Sequence, residues 1–389
     1  MNTVFDSSSF LLATGLLLTG CISLKAASAP SAYRVYFGTS TKQEGLSGIY
    51  MSLLNMQTGQ LSAAVRVTET VKPGFITIHP NGRYIYSTSE EGRPDAENTG
   101  TVSAFRISEP DGALFNLNTL SSEGAGPCHV SIDPSGKNVL VANYIGASCA
   151  VLPVQSDGLL TRATSVQEHT GSSIHPKRQT KAYPHSINCD PAGQFVLVAD
   201  LGIDRIMIYR FNADKGSLVP NDPPFVTTEP GSGPRHLTFH PSGRFAYVNF
   251  ELGNKVSVFQ YDAGKGVLNC IQTISTLPDG FTGENTTSEI QTTPDGHFLY
   301  VANRGHNSLA VFTIDPATGK LTSLGHEPTR GNIPRHFRID PTGSYLIAVN
   351  ATSGTAVVFR INSTTGLLEF TGNPIQLPNP SCVQFLAIP

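Results

Sequence analysis

The sequence predicts an all-β protein, a seven-bladed β-propeller with four-stranded blades, in which the N- and C-terminal strands share one blade and close the ring. Two observations predict this fold: one motif recurs seven times in a chain of 389 residues, and the two chain ends are incomplete in complementary ways. The composition agrees, because 37 Gly, 27 Pro and only 14% charged residues are typical of short strands joined by turns.

The recurring motif is Pro-x-x-apolar-x-apolar-x-Pro-x-Gly followed by a β-rich run. It begins at residues 73, 127, 184, 234, 287, 334 and 380, with Thr287 replacing the opening Pro of the fifth unit. Examples are PRHLTFHPSGRFAYVNF from Pro234 and PRHFRIDPTGSYLIAVN from Pro334. These starts lie 46 to 57 residues apart. Propeller blades repeat about every 40–50 residues, and loop insertions account for the excess.

Each unit reads as four consecutive strands. The alternating stretch after the opening residue is an inner strand, A, and the Pro-x-Gly turn leads to a second strand, B, rich in aromatic and β-branched residues. A third strand such as KVSVFQYD follows, and a Gly turn leads to a fourth. No amphipathic helix of useful length is predicted.

The two chain ends predict how the ring closes. The seventh unit, PSCVQFLAI from Pro380, supplies a strand A without a strand B. The run YRVYFGT from Tyr33 resembles a strand B that no strand A precedes. Pairing the two ends completes a blade and removes the exposed edges of an open sheet.

Residues 1–29 are predicted to be a signal peptide, and residues 30–389 the propeller. The apolar run FLLATGLLLTG from Phe10 is too short to span a bilayer. It leads to Leu18-Thr19-Gly20-Cys21, which resembles the bacterial lipobox, in which the Cys is lipidated; cleavage near Ala27–Ala29 is the alternative. We therefore expect an exported protein, either periplasmic or anchored to a bacterial membrane as a lipoprotein.

Charge limits the partners of the protein. A formal net charge of -3 and a pI near 6.4 provide no basic surface for nucleic acid. Contact with a membrane is expected only through the lipid anchor, and no feature of the chain implies an obligate protein partner.

Candidate functional residues follow from the repeat geometry. Equivalent positions of the blades converge around the axis, so the start of each strand A and the end of each strand B should line one mouth of the central channel. The His, Arg and Glu residues selected from these positions as candidates are His185, Arg235, Arg335, His129, His236, Glu289, His336, Glu251 and Arg304. They offer a base that titrates near neutral pH, fixed cations for an anionic substrate, and carboxylates.

Structural roles compete with catalysis at each of these positions. Arginines in a channel often only neutralise carboxylates, and a histidine at a strand start often only satisfies a hydrogen bond. The histidines could also bind a metal, but no compact spacing such as His-Glu-x-x-His occurs, so neither a metal nor a cofactor is predicted.

Longer motifs resemble a known family. GSGPRHLTFHPSGRFAYVNFELGNKVSVF, SEIQTTPDGHFLYVANRGHNSLAVF, IHPKRQTKAYPH and TRGNIPRHFRIDPTG are similar to the propeller-type lactonases. That family includes bacterial 6-phosphogluconolactonases of the seven-bladed type and fungal carboxy-cis,cis-muconate cyclases. The resemblance covers essentially all of the chain after the signal segment.

The resemblance implies cofactor-free opening of a small anionic lactone. The family's His falls on His185 in YPHS, its Glu on Glu251 in FELGN, and its first Arg on Arg235 in GPRH. Its second Arg falls on Arg304 in ANRG, with Arg335 as the alternative.

The expected roles follow from this match. His185 would be the general base, Glu251 would orient it or act as the acid, and the two arginines would hold the anion and polarise the carbonyl. The remaining candidates, expected to contact substrate, are Arg335, His236, His129, Glu289 and His336.

Two other functions stay open at the level of sequence. A cycloisomerase acting on a muconate-like dicarboxylate would use the same residues, and a non-catalytic envelope propeller would only bind a ligand. Export also separates the protein from cytosolic sugar phosphates, so another sugar lactone or a uronic lactone remains an alternative substrate.

Overall fold

A computed structural model describes residues 1–3, 30–41, 43, 45–90 and 99–388. The predicted signal peptide and Cys21 lie outside these residues. No helix in the described part of the chain is long and apolar enough to cross a membrane.

The described residues form thirty strands. The first fifteen are β1 (Ala32–Thr39), β2 (Ile49–Asn55), β3 (Gln60–Leu61), β4 (Val65–Thr68), β5 (Pro73–Ile78), β6 (Tyr84–Ser89), β7 (Thr101–Ile107), β8 (Leu114–Ser121), β9 (Pro127–Ile132), β10 (Asn138–Asn143), β11 (Ser148–Pro153), β12 (Ser165–Glu168), β13 (Pro184–Cys189), β14 (Phe195–Asp200) and β15 (Arg205–Asn212). The remainder are β16 (Ser217–Thr227), β17 (Pro234–Phe239), β18 (Phe245–Phe250), β19 (Lys255–Asp262), β20 (Val267–Ser275), β21 (Thr286–Thr292), β22 (Phe298–Arg304), β23 (Ser308–Ile314), β24 (Leu321–Pro328), β25 (Pro334–Ile339), β26 (Tyr345–Asn350), β27 (Thr355–Ile361), β28 (Leu368–Phe370), β29 (Ile375–Gln376) and β30 (Pro380–Ala387).

These strands form seven antiparallel sheets, which confirms the predicted propeller. Blades I to VI begin with β5, β9, β13, β17, β21 and β25, and each continues outward through the strands that follow. Blade VII joins the chain ends, because β30 is its inner strand and pairs with β1, with Tyr36 opposite Gln384. The predicted sharing of one blade by the two chain ends is therefore also confirmed.

The Pro-x-Gly turns lie where the motif predicts them, between the first two strands of blades I to VI. Their glycines have φ values between 67° and 76°, a region in which a Cβ atom would be strained. They are Gly82, Gly136, Gly193, Gly243, Gly296 and Gly343. These turns define one face of the ring, the turn face, and the starts of the inner strands lie at the opposite face.

Neighbouring blades are joined by side chains rather than by backbone ladders. Apolar clusters fill the gaps; Phe298 and Tyr300 of blade V, for example, pack with Phe337 and Phe359 of blade VI. Buried tyrosines of second strands also donate to carbonyls of the next blade, as Tyr247 does to Gly319 at 3.0 Å and Tyr300 to Gly366 at 2.7 Å. The ring is therefore a rigid scaffold around its channel.

A register shift marks the start of the inner strands and decides where their side chains lie. In β13, β17 and β25 the opening proline pairs with the second strand, the next residue is skipped, and pairing resumes one residue later. The skipped residues are His185, Arg235 and Arg335. Such β-bulges re-aim side chains, so two consecutive residues can both contribute to the channel instead of alternating between faces.

Candidate active site

A cavity of about 250 Å³ lies at the face where the inner strands start, and we call it the mouth cavity. Its lining combines bulge residues of inner strands, residues at the ends of second strands, and one loop. The lining residues are Glu90, Gly126, Cys128, Tyr144, Ile145, Arg178, His185, Glu251, Arg304 and Arg335. Three arginines therefore face two carboxylates around this cavity.

Glu251 is the centre of the ionic network. It follows β18 directly and its side chain is buried. Arg235 donates from Nε to Glu251 Oε2 at 2.9 Å, and Arg304 Nη2 lies 3.0 Å from the same oxygen. Arg178 Nη2 donates to the other oxygen, Oε1. One carboxylate thus orients three guanidinium groups.

The protonation of Glu251 follows from these partners. Burial raises the pKa of its carboxyl group, but the charges of Arg304, Arg235 and Arg178 outweigh burial and lower the pKa to about 2. Burial, reinforced by the charge of Arg304, also lowers the pKa of Arg235 to about 9 despite the nearby carboxylate. Glu251 is therefore an anion at neutral pH and has no proton to donate, which disfavours its expected alternative role as the acid.

His185 lies beside this network. Its Nε2 is 3.9 Å from Glu251 Oε2, and its ring packs edge to face on Tyr144 with centroids 5.4 Å apart. Burial lowers the pKa of His185 well below its usual value, and the charge of Arg235 lowers it further. The imidazole is therefore neutral at neutral pH and has a lone pair available to accept a proton.

Cys128 also reaches the mouth cavity. Its Sγ lies 4.0 Å from His185 Nδ1 and donates to the His185 carbonyl at 3.3 Å. Burial raises the pKa of this thiol to about 12, so it stays protonated at neutral pH. Since the thiolate is the nucleophilic form, Cys128 is a poor candidate for a nucleophile.

Arg335 differs from the other two arginines that line the mouth cavity. Its half-buried guanidinium makes no hydrogen bond or ion pair with another described residue, whereas Arg178 and Arg304 both bind Glu251. Arg304 also donates to the Thr287 carbonyl at 2.9 Å, and its Nε is buried without a partner. Donors for an anion therefore remain at Arg335 and Arg304.

The structure brings together His185, Glu251, Arg235 and Arg304, as the repeat geometry predicts. Among the five residues expected to contact substrate, only Arg335 lines the mouth cavity. The other four lie deeper, in the lining of a separate cavity towards the turn face: His129, His236, Glu289 and His336. This differs from the expectation that both positions of each inner strand reach one mouth.

These four residues and Phe75 form a layer across the channel. The Phe75 ring lies 4.4 Å from the His129 ring and 5.3 Å from the His336 ring, measured between centroids. Glu289 Oε2 lies 2.8 Å from His236 Nδ1 and 3.3 Å from His336 Nε2. The ring of His236 is also 5.3 Å from that of His185. The layer therefore forms the floor of the mouth cavity.

Sequence reasoning missed Arg178. It lies in residues 169–183, the loop between β12 and β13, which has no counterpart in the repeat pattern. The buried Gln179 anchors this loop by donating to the Leu201 carbonyl at 2.9 Å. The long spacing of 57 residues before Pro184 and the motif IHPKRQTKAYPH were the available signals.

The described residues contain no group of three or more His, Cys, Asp or Glu side chains arranged to hold a metal ion.

A mouth that combines a neutral histidine, an ionised glutamate and several arginines has the groups that acid–base chemistry on an anionic small molecule requires. Comparison with protein families gives the particular class. The family model described as "Lactonase, 7-bladed beta-propeller" matches residues 34–385. The chain belongs to this family.

Its relatives agree in length and in fold. The chain is 37% identical over 354 residues to a 6-phosphogluconolactonase of Bacillus subtilis, covering 91% of this chain and 98% of the relative. It is 33% identical over 312 residues to a 6-phosphogluconolactonase of Formosa agariphila, covering 79% and 86%. Among solved structures, a periplasmic gluconolactonase of Pseudomonas aeruginosa superimposes with a TM-score of 0.86 at 33% identity, covering 92% of this chain and all of the other.

Proposed function

We propose that the protein hydrolyses a small sugar-type lactone that carries an anionic group, without a cofactor. One observation carries the proposal: His185, which is neutral, lies 3.9 Å from a glutamate that orients three arginines, while Arg335 in the same cavity has no ion-pair or hydrogen-bond partner among the described residues. Family membership and relatives named as lactonases support it.

In the proposed mechanism His185 removes a proton from water as the water attacks the lactone carbonyl. The imidazolium that forms is stabilised by the nearby Glu251 anion, and it returns the proton to the ring oxygen when the C–O bond of the lactone breaks. Glu251 itself transfers no proton, because its pKa of about 2 keeps it ionised. Its role is to hold Arg235 and Arg304 in place, and Arg304 stabilises the negative charge that develops on the carbonyl oxygen.

Arg335 binds the anionic group of the substrate in this mechanism. Its guanidinium makes no bond to another described residue, and a planar guanidinium suits bidentate contact with a carboxylate or phosphate. Arg235 is an unsuitable anchor, because it is buried and donates to Glu251 and to the Ser288 carbonyl. The resemblance instead assigned the anion to Arg235 and Arg304, with Arg335 only as the alternative to Arg304.

A panel of lactones followed by acid release at constant pH tests the proposal. We expect turnover of 6-phosphogluconolactone or of a uronic lactone, and a fall in kcat of about 100- to 10,000-fold in His185→Ala. Cys128→Ala is the matched control, since it removes a neighbouring side chain of the same cavity, and it should stay within about threefold of the wild type. Full activity in His185→Ala, or muconate turnover without acid release from any lactone, would overturn the proposal.

The role of Arg335 in binding the anionic group of the substrate is tested separately. Arg335→Met should raise KM for an anionic lactone by about 10- to 100-fold, the equivalent of a charge-assisted hydrogen-bonded pair, while barely changing KM for uncharged gluconolactone. Equal losses for both substrates would show that Arg335 does not select the anion.

Export belongs to the same proposal. The apolar run from Phe10 and the Leu18-Thr19-Gly20-Cys21 motif support a periplasmic or lipid-anchored protein, and one structural relative is named as periplasmic. Cell fractionation in a bacterial host should recover the protein from the envelope, and Cys21→Ala should release it from the membrane fraction. Recovery of the unprocessed full-length chain from the cytoplasm would contradict export.

A further inference from the structure

A second cavity, of about 530 Å³, occupies the channel on the turn-face side of the His-Phe-Glu floor, and we call it the lower cavity. Each inner strand contributes the residue four positions after the opening residue of the motif, and in all seven blades that residue is polar. These residues are Thr77, Ser131, Asn188, Thr238, Gln291, Arg338 and Gln384, and all of them line the cavity.

Three members of this ring have a structural role. Ser131 Oγ donates to the Ile187 carbonyl at 2.7 Å, Gln291 Nε2 to the Phe337 carbonyl at 2.9 Å, and Gln384 Nε2 to the Ile76 carbonyl at 3.0 Å. Each bond joins the inner strand of one blade to that of the next. Since inner strands of adjacent blades do not pair through their backbones, these side chains satisfy carbonyls that would otherwise be unpaired.

The other four members make no side-chain bond of this kind. Thr77, Asn188, Thr238 and Arg338 have no side-chain hydrogen bond to another described residue, and Asn188 Nδ2 is buried without a partner. They come from blades I, III, IV and VI, so they surround the cavity rather than lying on one side of it. Their polarity is therefore not explained by the contacts that hold the ring together.

Charge in the lower cavity is concentrated on one group that a ligand can reach. Arg338 is exposed, and among the described lining residues it is the one arginine or lysine. Glu289 is buried in the floor, where His236 and His336 approach its Oε2 and Gln291 approaches its Oε1 at 3.3 Å. The Glu289 carboxylate therefore already has hydrogen-bonding partners, whereas the Arg338 guanidinium has none among the described residues.

We propose that the lower cavity binds a small polyhydroxylated carboxylate, the class to which sugar acids belong. A single guanidinium matches a single carboxylate, which it can bind through two parallel hydrogen bonds. The hydroxyl groups of Thr77 and Thr238 and the amide of Asn188 both donate and accept, as hydroxyl groups of a ligand require. Phe239, Ile78 and Leu386 in the lining provide apolar contact for C–H groups.

Size and separation support a site distinct from the mouth cavity. The volume of 530 Å³ lies within the range of about 300–1,000 Å³ that is usual for small-molecule sites. The floor of Phe75, His129, His236, Glu289 and His336 separates the two cavities. A ligand in the lower cavity would therefore neither contact His185 nor depend on turnover at the mouth.

Titration calorimetry with gluconate tests this site. Wild-type protein should bind two equivalents, one at each end of the channel, and Arg338→Met should bind one. Arg335→Met should also bind one, and a crystal of that variant soaked in gluconate should show the ligand against Arg338. Glucose, which lacks the carboxylate, should bind the lower cavity of Arg335→Met at least tenfold more weakly than gluconate does.

Lys320→Met is the matched control, because it removes one exposed positive charge away from the channel and should leave both equivalents. Thermal unfolding of Arg338→Met should match the wild type, and its lactone hydrolysis without gluconate should be unchanged. Two equivalents in Arg338→Met, or only ordered water in the lower cavity of the soaked crystal, would overturn the proposal. These readouts are independent of catalysis, so a failure of the proposed lactonase mechanism would be seen separately in the turnover assay.

Discussion

The two ends of the channel are built from the same seven inner strands, yet their chemistry differs. The mouth cavity, of about 250 Å³, is ionic and is lined by three arginines and two carboxylates. The lower cavity, of about 530 Å³, is lined mainly by hydroxyl, amide and apolar groups with one exposed arginine. Only two or three residues along a strand separate these environments.

The difference reflects which parts of the chain reach each end. The lower cavity is lined mostly by regularly alternating positions of inner strands, which repeat from blade to blade. The mouth also receives bulged residues, the residues at the ends of second strands, and the loop carrying Arg178. These elements lie outside the ladders, so they vary between blades without disturbing the fold. An asymmetric catalytic site can therefore arise on a nearly symmetric ring.

The largest expected effect contrasts the two buried glutamates. Glu251→Gln should lower kcat/KM by at least about 1,000-fold and destabilise the protein by about 3–5 kcal/mol, because three arginines lose their shared anion. Glu289→Gln should keep kcat/KM within about tenfold, since it disturbs the floor and not the reacting groups. Its stability cost should be about 1–3 kcal/mol, from weakened hydrogen bonds to His236 and His336. For each variant, lactone turnover measures kcat/KM and urea unfolding measures the stability.

Glu229→Gln serves as the surface control, since Glu229 pairs with Lys255 at 2.7 Å in an exposed position, and such pairs contribute about 0–1 kcal/mol. If Glu289→Gln lost as much activity as Glu251→Gln, the floor would belong to the catalytic machinery and the separation of the two ends would be wrong.

A smaller effect concerns the stability of the channel in acid. Burial holds the pKa of His129, His185 and His236 well below 6.5 and that of His336 at about 3. The folded state keeps these histidines neutral while the unfolded state protonates them near pH 6.5. Their contribution to the free energy of unfolding is therefore fully present above pH 6.5. It is lost as the pH falls towards the pKa values of the folded state, by on the order of 1 kcal/mol per pH unit for each histidine.

Urea unfolding at pH 7, 6, 5 and 4 should show this loss of unfolding free energy. The plot of unfolding free energy against pH should be less steep in His336→Asn. His297→Asn, which replaces an exposed histidine at the surface, should leave the slope unchanged. An unfolding free energy that stays constant between pH 7 and pH 4 would contradict neutral histidines in the floor.

The repeat explains how much of this could be predicted from the sequence. The Pro-x-Gly turns and the alternation of apolar and polar residues specify the strands of each blade. The complementary chain ends specify how the ring closes. Each of these signals can be read from the sequence and has one structural outcome. The convergence of His185, Arg235, Glu251 and Arg304 followed from equivalent positions in successive blades. Arg178 could not be placed in this way, since a loop outside the repeat has no equivalent from which to infer its position.

The sequence also could not predict how deep in the channel each inner-strand residue lies. A register shift at the start of an inner strand turns residues such as Arg335 to the mouth and leaves the next residue, His336, in the floor. All seven inner strands have such a shift near their start, but the motif does not reveal it, because a bulge depends on how neighbouring strands pair. The preference for Arg335 over Arg235 as the anion anchor has a similar origin. It depends on which guanidinium group already has hydrogen-bonding partners, and only the folded structure shows this.

The smallest expected effect is the pH dependence of turnover, and it tests the electrostatics of the mouth directly. Since burial and Arg235 hold the pKa of His185 well below 6.5, the base is already neutral at mildly acid pH. We expect kcat/KM to change by less than about threefold between pH 5.5 and pH 7.5, and to fall only at lower pH as His185 becomes protonated. Arg335→Met removes one of the charges that lower this pKa, so its acid limb should move to higher pH. An acid limb centred at the ordinary histidine value in the wild type would show that His185 is solvated like a surface residue, and the contrast between an ionic mouth and a lower cavity of hydroxyl, amide and apolar groups would fail.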